Sequence, residues 1–339
     1  MRSYLEKILD GKSLTAEEAE ALLGLIMDGQ GSPVQIGALL CALRTKGEGV
    51  EEILGFARAM RKRAQSPNIP SRPLVDTCGT GGDASGSFNF STVAAFVLAG
   101  AGVSVVKHGN RAVSSQTGSA DLLEALGIRI AWTPEEVGQS LLDTGFAFLF
   151  APAYHPAMKA VAPIRKELGV KTVFNILGPL TNPCVPEYQL IGVYSLEKAA
   201  LLAEVLSRDR RRRVLLVHSE RGWDEATPAA PFYLFRIEGE RVSREAFDPQ
   251  DLGLSRCRPE ELQGAAPSRN AGLAFQLLQG ERGPLRDAVV LNAGLAFWAC
   301  EKVDSLSEGM ELAEAVLGSG KALRVVEKLR ERFPLERKA

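Results

Sequence analysis

The sequence predicts an α/β protein in which a helical N-terminal region precedes a larger part with a mostly parallel sheet. Residues 1–66 show only helical patterns. The segment Ser66–Pro73 then has three prolines in eight residues, so it cannot continue a helix and is the best candidate for a domain linker. After it, short apolar runs alternate with helical patterns, which is the order typical of parallel strands covered by helices.

Cap patterns place the starts of the N-terminal helices. Thr15–Glu18 has the capping-box pattern, in which a threonine and a glutamate three residues later satisfy each other's backbone N–H groups. Ser32 and Pro33 are suited to the N-cap and first position of the next helix, and Gln35 supports that start. A further helix is predicted over Val50–Arg63.

The rest of the chain supplies the strands. Strands are predicted at Leu74–Asp76, Val103–Val106, Ile128–Trp132, Phe146–Phe150 and Val214–Val217. Helices are predicted at Ser91–Ala101, from about Ala120 to Leu126, and after the cap pattern Thr133–Glu136. A hairpin is predicted over Phe232–Val242, and helices from about Leu285 to Phe333.

Bulk composition narrows the class of protein. The chain has 339 residues, enough for one large or two moderate domains, and a net charge of −1, which argues against a generic nucleic-acid binder. Its five cysteines are scattered without a CxxC pair, which argues against a disulfide framework or a zinc site and fits a reducing compartment. Neither a signal peptide nor a membrane span is expected from the apolar runs.

Two long polar stretches, Asp76–Thr92 and Lys107–Asp121, each accompany a predicted strand and consist largely of glycine, small hydroxyl residues and amides. Such stretches cannot build a core, but they bring many backbone N–H groups and hydroxyls against a ligand rich in oxygen. A third strand leads into the acidic pair Asp224–Glu225. If the three strand ends converge, the pocket suits a phosphate-rich ligand with Mg²⁺, which prefers hard oxygen ligands.

Taken one at a time, these features leave other interpretations open. The first loop lacks the glycine spacing of a P-loop or a Rossmann turn, and a bare glycine loop is equally compatible with a tight turn. An isolated Asp224–Glu225 pair is more typical of a solvated surface, and Cys78 is more typical of a small buried residue than of a nucleophile. The sequence has no Ser/His/Asp order and no HExxH pattern, which argues against serine hydrolases and zinc proteases.

Six motifs, in order along the chain, carry a resemblance to a known family. They are GTGGD at Gly79–Asp83, NFST at Asn89–Thr92, KHGNRAVSSQTGSADLLEALG at Lys107–Gly127, HPAMKAVAPIRKELG at His155–Gly169, FNILGPLTNP at Phe174–Pro183, and the pair Asp224–Glu225. On these residues, and over essentially its full length, the chain resembles the anthranilate phosphoribosyltransferases. The resemblance implies transfer of the phosphoribosyl group of 5-phosphoribosyl 1-diphosphate (PRPP) to the amine of anthranilate, with release of diphosphate. This reaction is the second step of tryptophan biosynthesis from chorismate.

The resemblance also implies a role for each matching residue. PRPP is expected to contact Gly79, Gly82, Asp83, Ser87, Asn89, Phe90, Ser91, Thr92, Lys107, His108, Gly109, Asn110, Arg111, Ala112, Val113, Ser114, Ser115 and Ser119. Anthranilate is expected to contact Gly79, Asn110 and Arg165. Ser91, Asp224 and Glu225 are the expected metal ligands, for two Mg²⁺ ions per subunit. No general base is expected, because an aromatic amine needs little deprotonation before attack and positioning supplies much of the rate.

The fold implied by the resemblance is α/β, with a small all-helical domain, a larger α/β domain with a mostly parallel central sheet, and a cleft between them. The helical domain is expected to comprise residues 1–70 and about 160–185, and the α/β domain residues 73–159 and 186–339. The family further implies a cytoplasmic homodimer joined through the helical domain, with no nucleic-acid or membrane partner.

Two other functions are the alternatives to this one. A pyrimidine-nucleoside phosphorylase shares the fold, but it is expected to use phosphate as nucleophile and to lack an acidic metal pair. Asp224–Glu225 and Arg165 therefore favour the transferase. A non-catalytic homologue that binds nucleic acid is expected to be clearly basic and to lack the anthranilate contacts, whereas this chain has a net charge of −1 and retains Asn110 and Arg165.

A few positions depart from the commonest family pattern. Ala84 and Ser87 stand where glycine and threonine are usual, and Phe90 replaces an isoleucine. Ser87 keeps a hydroxyl group, so PRPP binding is expected to survive. Ala160, near the expected anthranilate entrance, is smaller than usual, and Trp223 replaces a leucine before the acidic pair, so both bear on how anthranilate is placed.

Overall fold

The computed structural model describes residues 1–69, 73–112, 116–209 and 211–335, which contain a seven-stranded sheet. Its strands are Val75–Gly79 (β1), Val105–Gly109 (β2), Phe146–Phe150 (β3), Tyr188–Gly192 (β4), Arg213–Ser219 (β5), Phe232–Glu238 (β6) and Arg241–Phe247 (β7). They lie in the order β3-β2-β1-β4-β5-β6-β7. The first five of these are parallel, and β6 and β7 add an antiparallel hairpin at one edge. The predicted α/β class with a mostly parallel sheet is confirmed.

Helices form an N-terminal bundle and cover the sheet. They are Arg2–Leu9 (α1), Ala16–Met27 (α2), Pro33–Lys46 (α3), Val50–Lys62 (α4), Phe90–Gly100 (α5), Ser119–Ala125 (α6), Pro134–Thr144 (α7), Ala151–Tyr154 (α8), Ala162–Leu168 (α9), Phe174–Leu177 (α10), Leu196–Arg208 (α11), Pro267–Leu278 (α12), Pro284–Ala299 (α13), Leu306–Gly318 (α14) and Lys321–Arg332 (α15). Among the described residues, no helix is both long enough and apolar enough to cross a bilayer.

Capping explains where the bundle helices begin. Thr15 and Glu18 exchange backbone and side-chain hydrogen bonds at the start of α2. Ser32 and Gln35 do the same at the start of α3, where Pro33 occupies the first helical position. Each exchange satisfies N–H groups that the first helical turn leaves without an internal partner, so the predicted helix starts are confirmed.

Two hydrophobic cores lie on opposite faces of the sheet. On β4, Leu190 belongs to one core and the next residue, Ile191, to the other, as the alternation of side chains along a strand requires. The first core contains α5 and the C-terminal helices α13 to α15. The second contains α2 to α4 of the bundle, α11, and residues such as Val161 and Phe174 from residues 155–183, here called the returning segment. The bundle and the returning segment are therefore packed together on one face.

The strand order creates a topological switch point at β1. From β1 the chain moves outward to β2 and β3, and it then returns to add β4 on the other side of β1. Gly79 and Gly192 are register partners at the carboxyl ends of β1 and β4. Open α/β sheets bind ligands in the crevice that such a switch point opens, so this edge is where a site is expected.

One predicted strand is wrong. Ile128–Trp132 forms no strand, and Ile128 makes an isolated bridge to Pro334. The run is apolar because it is buried against the C-terminal region, where the Trp132 ring stacks on Phe333 with a centroid separation of 4.1 Å. The other predicted strands, the hairpin and the helical tail are confirmed, with shifted bounds. Residues 70–72 of the predicted linker lie outside the described residues.

Candidate active site

The three polar segments predicted to converge do meet at the carboxyl edge of the sheet. The Gly81 N–H donates to Asp224 Oδ2 at 2.7 Å. The Ser91 N–H donates to Glu225 Oε1 at 3.3 Å, and Lys107 Nζ donates to Ser91 Oγ at 3.3 Å. The acidic pair after β5 is thus hydrogen-bonded to the loop and helix that follow β1, and these in turn contact the end of β2.

Three carboxyl groups crowd together at this point. Asp83 Oδ2 accepts a hydrogen bond from the Asp224 N–H at 3.4 Å. Burial, and then repulsion from Asp83, raise the pKa of Asp224. Burial, and then repulsion from Asp224, raise the pKa of Glu225 well above its usual value. Buried carboxylates that repel one another are stabilised by a cation, and their hard oxygen atoms suit Mg²⁺.

The donor set also fits the way Mg²⁺ is usually bound. No group of three or more His, Cys, Asp or Glu side chains in the described ranges forms a metal cage of its own. Mg²⁺ typically takes one or two carboxylates and completes its octahedral shell with water and substrate phosphates. The three predicted ligands, Ser91, Asp224 and Glu225, all belong to the cluster just described.

Lys107 is buried beneath this cluster, with 2% of its surface exposed. Its ammonium donates to the Thr77 carbonyl oxygen at 2.5 Å as well as to Ser91. Burial lowers the pKa of Lys107, and the charge of Asp76 opposes that shift. The side chain therefore places a fixed positive charge under the acidic cluster, in contact with protein oxygen atoms.

Two glycines let the acidic pair approach the sheet. A β-carbon on Gly79 would lie 2.3 Å from Asp224 Oδ2, and one on Gly192 would lie 1.5 Å from the Asp224 carbonyl oxygen. Real β-carbons do not come that close to other atoms. The identity of both residues as glycine is thus needed for the position of Asp224.

Gly192→Ala is expected to lower the free energy of unfolding by about 3 kcal/mol, because the Asp224 backbone must move to make room. Urea denaturation measures the change. Gly272→Ala is the matched control, since a β-carbon there meets nothing within 4 Å in helix α12, and it should stabilise by about 0.5–1 kcal/mol. Equal unfolding midpoints for the two variants would contradict the close approach at Gly192.

Asp121 organises the loop that follows β2. Its carboxylate accepts hydrogen bonds from the N–H groups of Ala112 at 2.8 Å and Gly118 at 2.9 Å. Arg111 pairs with Glu124, so its guanidinium is held against α6. The predicted PRPP contacts at residues 113–115 (Val113, Ser114 and Ser115) lie outside the described residues.

The remaining predicted PRPP contacts differ in exposure. Asn89 Nδ2 donates to the Thr117 carbonyl oxygen at 2.9 Å and so joins the two polar loops. Ser119 Oγ donates to the Asn110 carbonyl oxygen at 3.3 Å, within the second loop. The others lie at strand ends, in the loops or at the start of α5. They are Gly79, Gly82, Asp83, Ser87, Phe90, Thr92, His108 and Gly109. Of these, Phe90 and Thr92 are buried. The N–H groups of Phe90 and Thr92 donate to the carbonyl oxygens of Phe88 and Asn89.

Arg165, the predicted anthranilate contact, lies on α9 in the returning segment. Its guanidinium lies over the Phe174 ring, 5.0 Å from the centroid. Burial lowers the pKa of Arg165, and within the described part of the chain no carboxylate lies within ion-pair distance of it. A partly buried guanidinium held by an aromatic ring and lacking a counter-ion suits an anionic ligand.

The returning segment is attached to the polar loops. The rings of His155 and His108 are 5.2 Å apart, and burial lowers the pKa of each to about 4, so both are neutral at pH 7. Asn182 Nδ2 donates to Asp76 Oδ2 at 3.0 Å and to the Val106 carbonyl oxygen at 2.9 Å. These contacts attach the segment that carries Arg165 to β1 and β2.

Asp76 is a buried supporting residue that the sequence reasoning did not single out. Its carboxylate is fully buried in β1 and accepts hydrogen bonds from the His108 N–H, from Asn182 and from Gln189. It therefore ties β2, β4 and the returning segment to β1. The available clue was a carboxylate next to the apolar pair Leu74–Val75, since a buried acid is rare unless it is paired.

Comparison with protein families defines the class. Residues 71–323 match the glycosyl transferase family, a/b domain, and residues 2–64 match the glycosyl transferase family, helical bundle domain. The bundle, the sheet and the polar site at the switch point are thus those of a glycosyl transferase of this kind.

Individual relatives narrow the class to one family. The chain is 49% identical to the anthranilate phosphoribosyltransferase of Symbiobacterium thermophilum, over 98% of this chain and 97% of that protein. The crystal structure of the Thermus thermophilus anthranilate phosphoribosyltransferase matches with a TM-score of 0.90 and 47% identity, over 97% of this chain and 98% of that one. The Saccharomyces cerevisiae enzyme in complex with PRPP and Mg matches with a TM-score of 0.89 and 28% identity, over 97% and 96% of the two chains, and it has also been solved with 4-fluoroanthranilate. The chain belongs to the anthranilate phosphoribosyltransferase family.

Proposed function

We propose that the protein transfers the phosphoribosyl group of PRPP to the amine of anthranilate and releases diphosphate. The observation that carries this proposal is the partly buried Arg165 guanidinium, which lacks a carboxylate partner among the described residues and lies in a segment attached to both polar loops. A planar guanidinium binds a carboxylate through two parallel hydrogen bonds. Anthranilate offers that carboxylate beside its attacking amine, and Asn110 and Gly79 complete the proposed acceptor contacts.

On the donor side, the proposed contacts are the backbone N–H groups and hydroxyls of the two loops. The loop after β1 contributes Gly79, Gly82 and Asp83, and the start of α5 contributes Ser91. The loop after β2 is shaped by Asp121, which accepts hydrogen bonds from the N–H groups of Ala112 and Gly118. Fixed N–H dipoles of this kind bind phosphate without adding a competing side-chain charge.

Ser91, Asp224 and Glu225 are the residues that would hold Mg²⁺. Bound there with PRPP, the cation would neutralise negative charge on the diphosphate. The chain's own contribution is to hold Asp224 through the Gly81 N–H and Glu225 through the Ser91 N–H. Lys107 balances part of the remaining acidic charge from below.

The reaction breaks the bond from the anomeric carbon of ribose to a diphosphate oxygen and forms a bond from the anthranilate nitrogen to that carbon. The bonding electrons leave with the diphosphate, and the nitrogen then loses a proton to solvent. Glycosyl transfer passes through an oxocarbenium-like state, so negative charge grows on the leaving group. The loop N–H groups stabilise that charge where it develops, and Arg165 places the amine for attack.

The same proposal includes the domain division and the assembly. The helical domain would comprise residues 1–70 and about 160–185, and the α/β domain residues 73–159 and 186–339. The bundle and the returning segment share one core, which also takes in α11 and one face of the sheet from the α/β domain. The family resemblance supports a homodimer through the helical domain, two Mg²⁺ ions per subunit and a cytoplasmic location.

The purified protein is expected to consume anthranilate when PRPP and Mg²⁺ are supplied together. Loss of anthranilate fluorescence measures the reaction, with omission of PRPP as the control. Two parallel assays test the other functions: cleavage of a pyrimidine nucleoside by inorganic phosphate, and a mobility shift with nucleic acid. Fluorescence that persists at every Mg²⁺ concentration would refute the proposal, and activity in a parallel assay would say what replaces it.

A further inference from the structure

Lys171, in the returning segment, contacts the glycine loop of residues 79–83 directly. Its Nζ donates to the Gly82 carbonyl oxygen at 2.5 Å and lies 3.9 Å from the centre of the Tyr194 ring. The carbonyl oxygen of Lys171 accepts a hydrogen bond from Arg44 Nη1 of α3 at 3.0 Å. Lys171 thus links the glycine loop to the helical bundle.

The hydrogen bond from Lys171 to the Gly82 carbonyl oxygen acts on a part of the glycine loop whose backbone is otherwise free to rotate. Gly81 and Gly82 have φ values of +62° and +74°, in the region that glycine enters without steric cost. The Gly81 N–H is anchored on Asp224, but the peptide between Gly82 and Asp83 is held through its carbonyl oxygen by Lys171. Removing that bond would leave this peptide free to turn.

Holding the carbonyl also fixes the direction of the N–H in the same peptide. In a trans peptide the C=O and N–H groups point in opposite directions. The Gly82 carbonyl faces Lys171, so the Asp83 N–H faces away from it. That N–H has no acceptor among the described residues and is available to a ligand.

We propose that Lys171 is a positioning residue for PRPP, which holds the Gly82–Asp83 peptide so that the Asp83 N–H is presented to the diphosphate. The inference rests on the proposed function, because PRPP is the anion that would receive the N–H. Lys171 acts from the segment that also carries the acceptor contact Arg165. The Tyr194 ring holds the ammonium in place through a cation–π contact.

Lys171→Met tests this positioning role, because methionine keeps most of the length and the apolar stem of the lysine side chain and removes the ammonium that donates to Gly82. Loss of one charge-assisted hydrogen bond should raise the KM for PRPP about tenfold, with the KM for anthranilate and the melting temperature nearly unchanged. Lys171→Arg keeps a charged donor and should restore most of the affinity. Lys302→Met removes an exposed lysine elsewhere and should behave as the wild type.

The outcomes separate this inference from the proposed function. An unchanged KM for PRPP in Lys171→Met would overturn it, and so would an equal rise in both KM values with a lower melting temperature. If the wild type does not turn over anthranilate, the proposed function fails. Calorimetric titration of the protein with PRPP, in the presence of Mg²⁺, still decides the role of Lys171. About tenfold weaker PRPP binding by Lys171→Met supports that role, and an affinity equal to that of the wild type refutes it.

Discussion

Replacing Arg165 by alanine is expected to raise the KM for anthranilate about 100-fold while the KM for PRPP stays within about threefold of the wild type. Anthranilate would then leave its carboxylate without a partner in a partly desolvated site, at a cost of about 3 kcal/mol. The proposed PRPP contacts lie on other elements, the loops after β1 and β2, and should not depend on this side chain. Steady-state kinetics with each substrate varied in turn measure both constants.

Two further variants separate charge from geometry at this position. Arg165→Lys keeps the positive charge but loses the planar fork, so its KM for anthranilate should lie between those of the wild type and Arg165→Ala. Lys166→Ala removes the next residue's exposed charge and should leave both KM values unchanged. If Arg165→Ala weakened both substrates equally, the assignment of Arg165 to anthranilate would be wrong.

Local patterns were enough to predict most of the fold. The caps at Thr15 and Ser32 depend on residues three positions apart, so the sequence contains all the information needed. The apolar runs of the central strands are buried on both faces and stand out for that reason. Ile128–Trp132 has the same apolar character, but it is buried by a ring stack with Phe333, about 200 residues away, and no local pattern distinguishes that case from a strand.

The site was predictable where its residues follow strands in a parallel sheet. The carboxyl ends of such strands share one edge, so the meeting of Gly81, Ser91 and Asp224 follows from topology. The contacts that support these residues from other segments do not follow from topology. Lys166 and Lys171 stand five residues apart in one segment and both are exposed, yet Lys171 is the one whose ammonium reaches the glycine loop.

Lys107 shows what burial adds to a role implied by sequence. The family resemblance implies that Lys107 contacts PRPP, and this stays a prediction. In the structure its ammonium donates to the Thr77 carbonyl oxygen and to Ser91 Oγ beneath the acidic cluster. Thr77 lies in β1 and Ser91 in α5, so these two contacts depend on the fold and no pattern around Lys107 predicts them.

Asp224→Asn is expected to lower kcat/KM at least about 100-fold and to shift the Mg²⁺ titration to higher concentration, because a direct ligand should matter at least as much as the groups that orient ligands. Asparagine is the informative replacement, since its Oδ1 can still accept the Gly81 N–H that Asp224 Oδ2 accepts at 2.7 Å. The glycine loop should therefore keep its shape while the site loses one negative charge. Without metal, the variant should melt no lower than the wild type, because the crowding of Asp224 with Asp83 and Glu225 is relieved.

Glu220→Gln removes an exposed acid just after β5 and serves as the control. An unchanged Mg²⁺ titration in Asp224→Asn, with wild-type activity, would show that the acidic pair does not hold the metal.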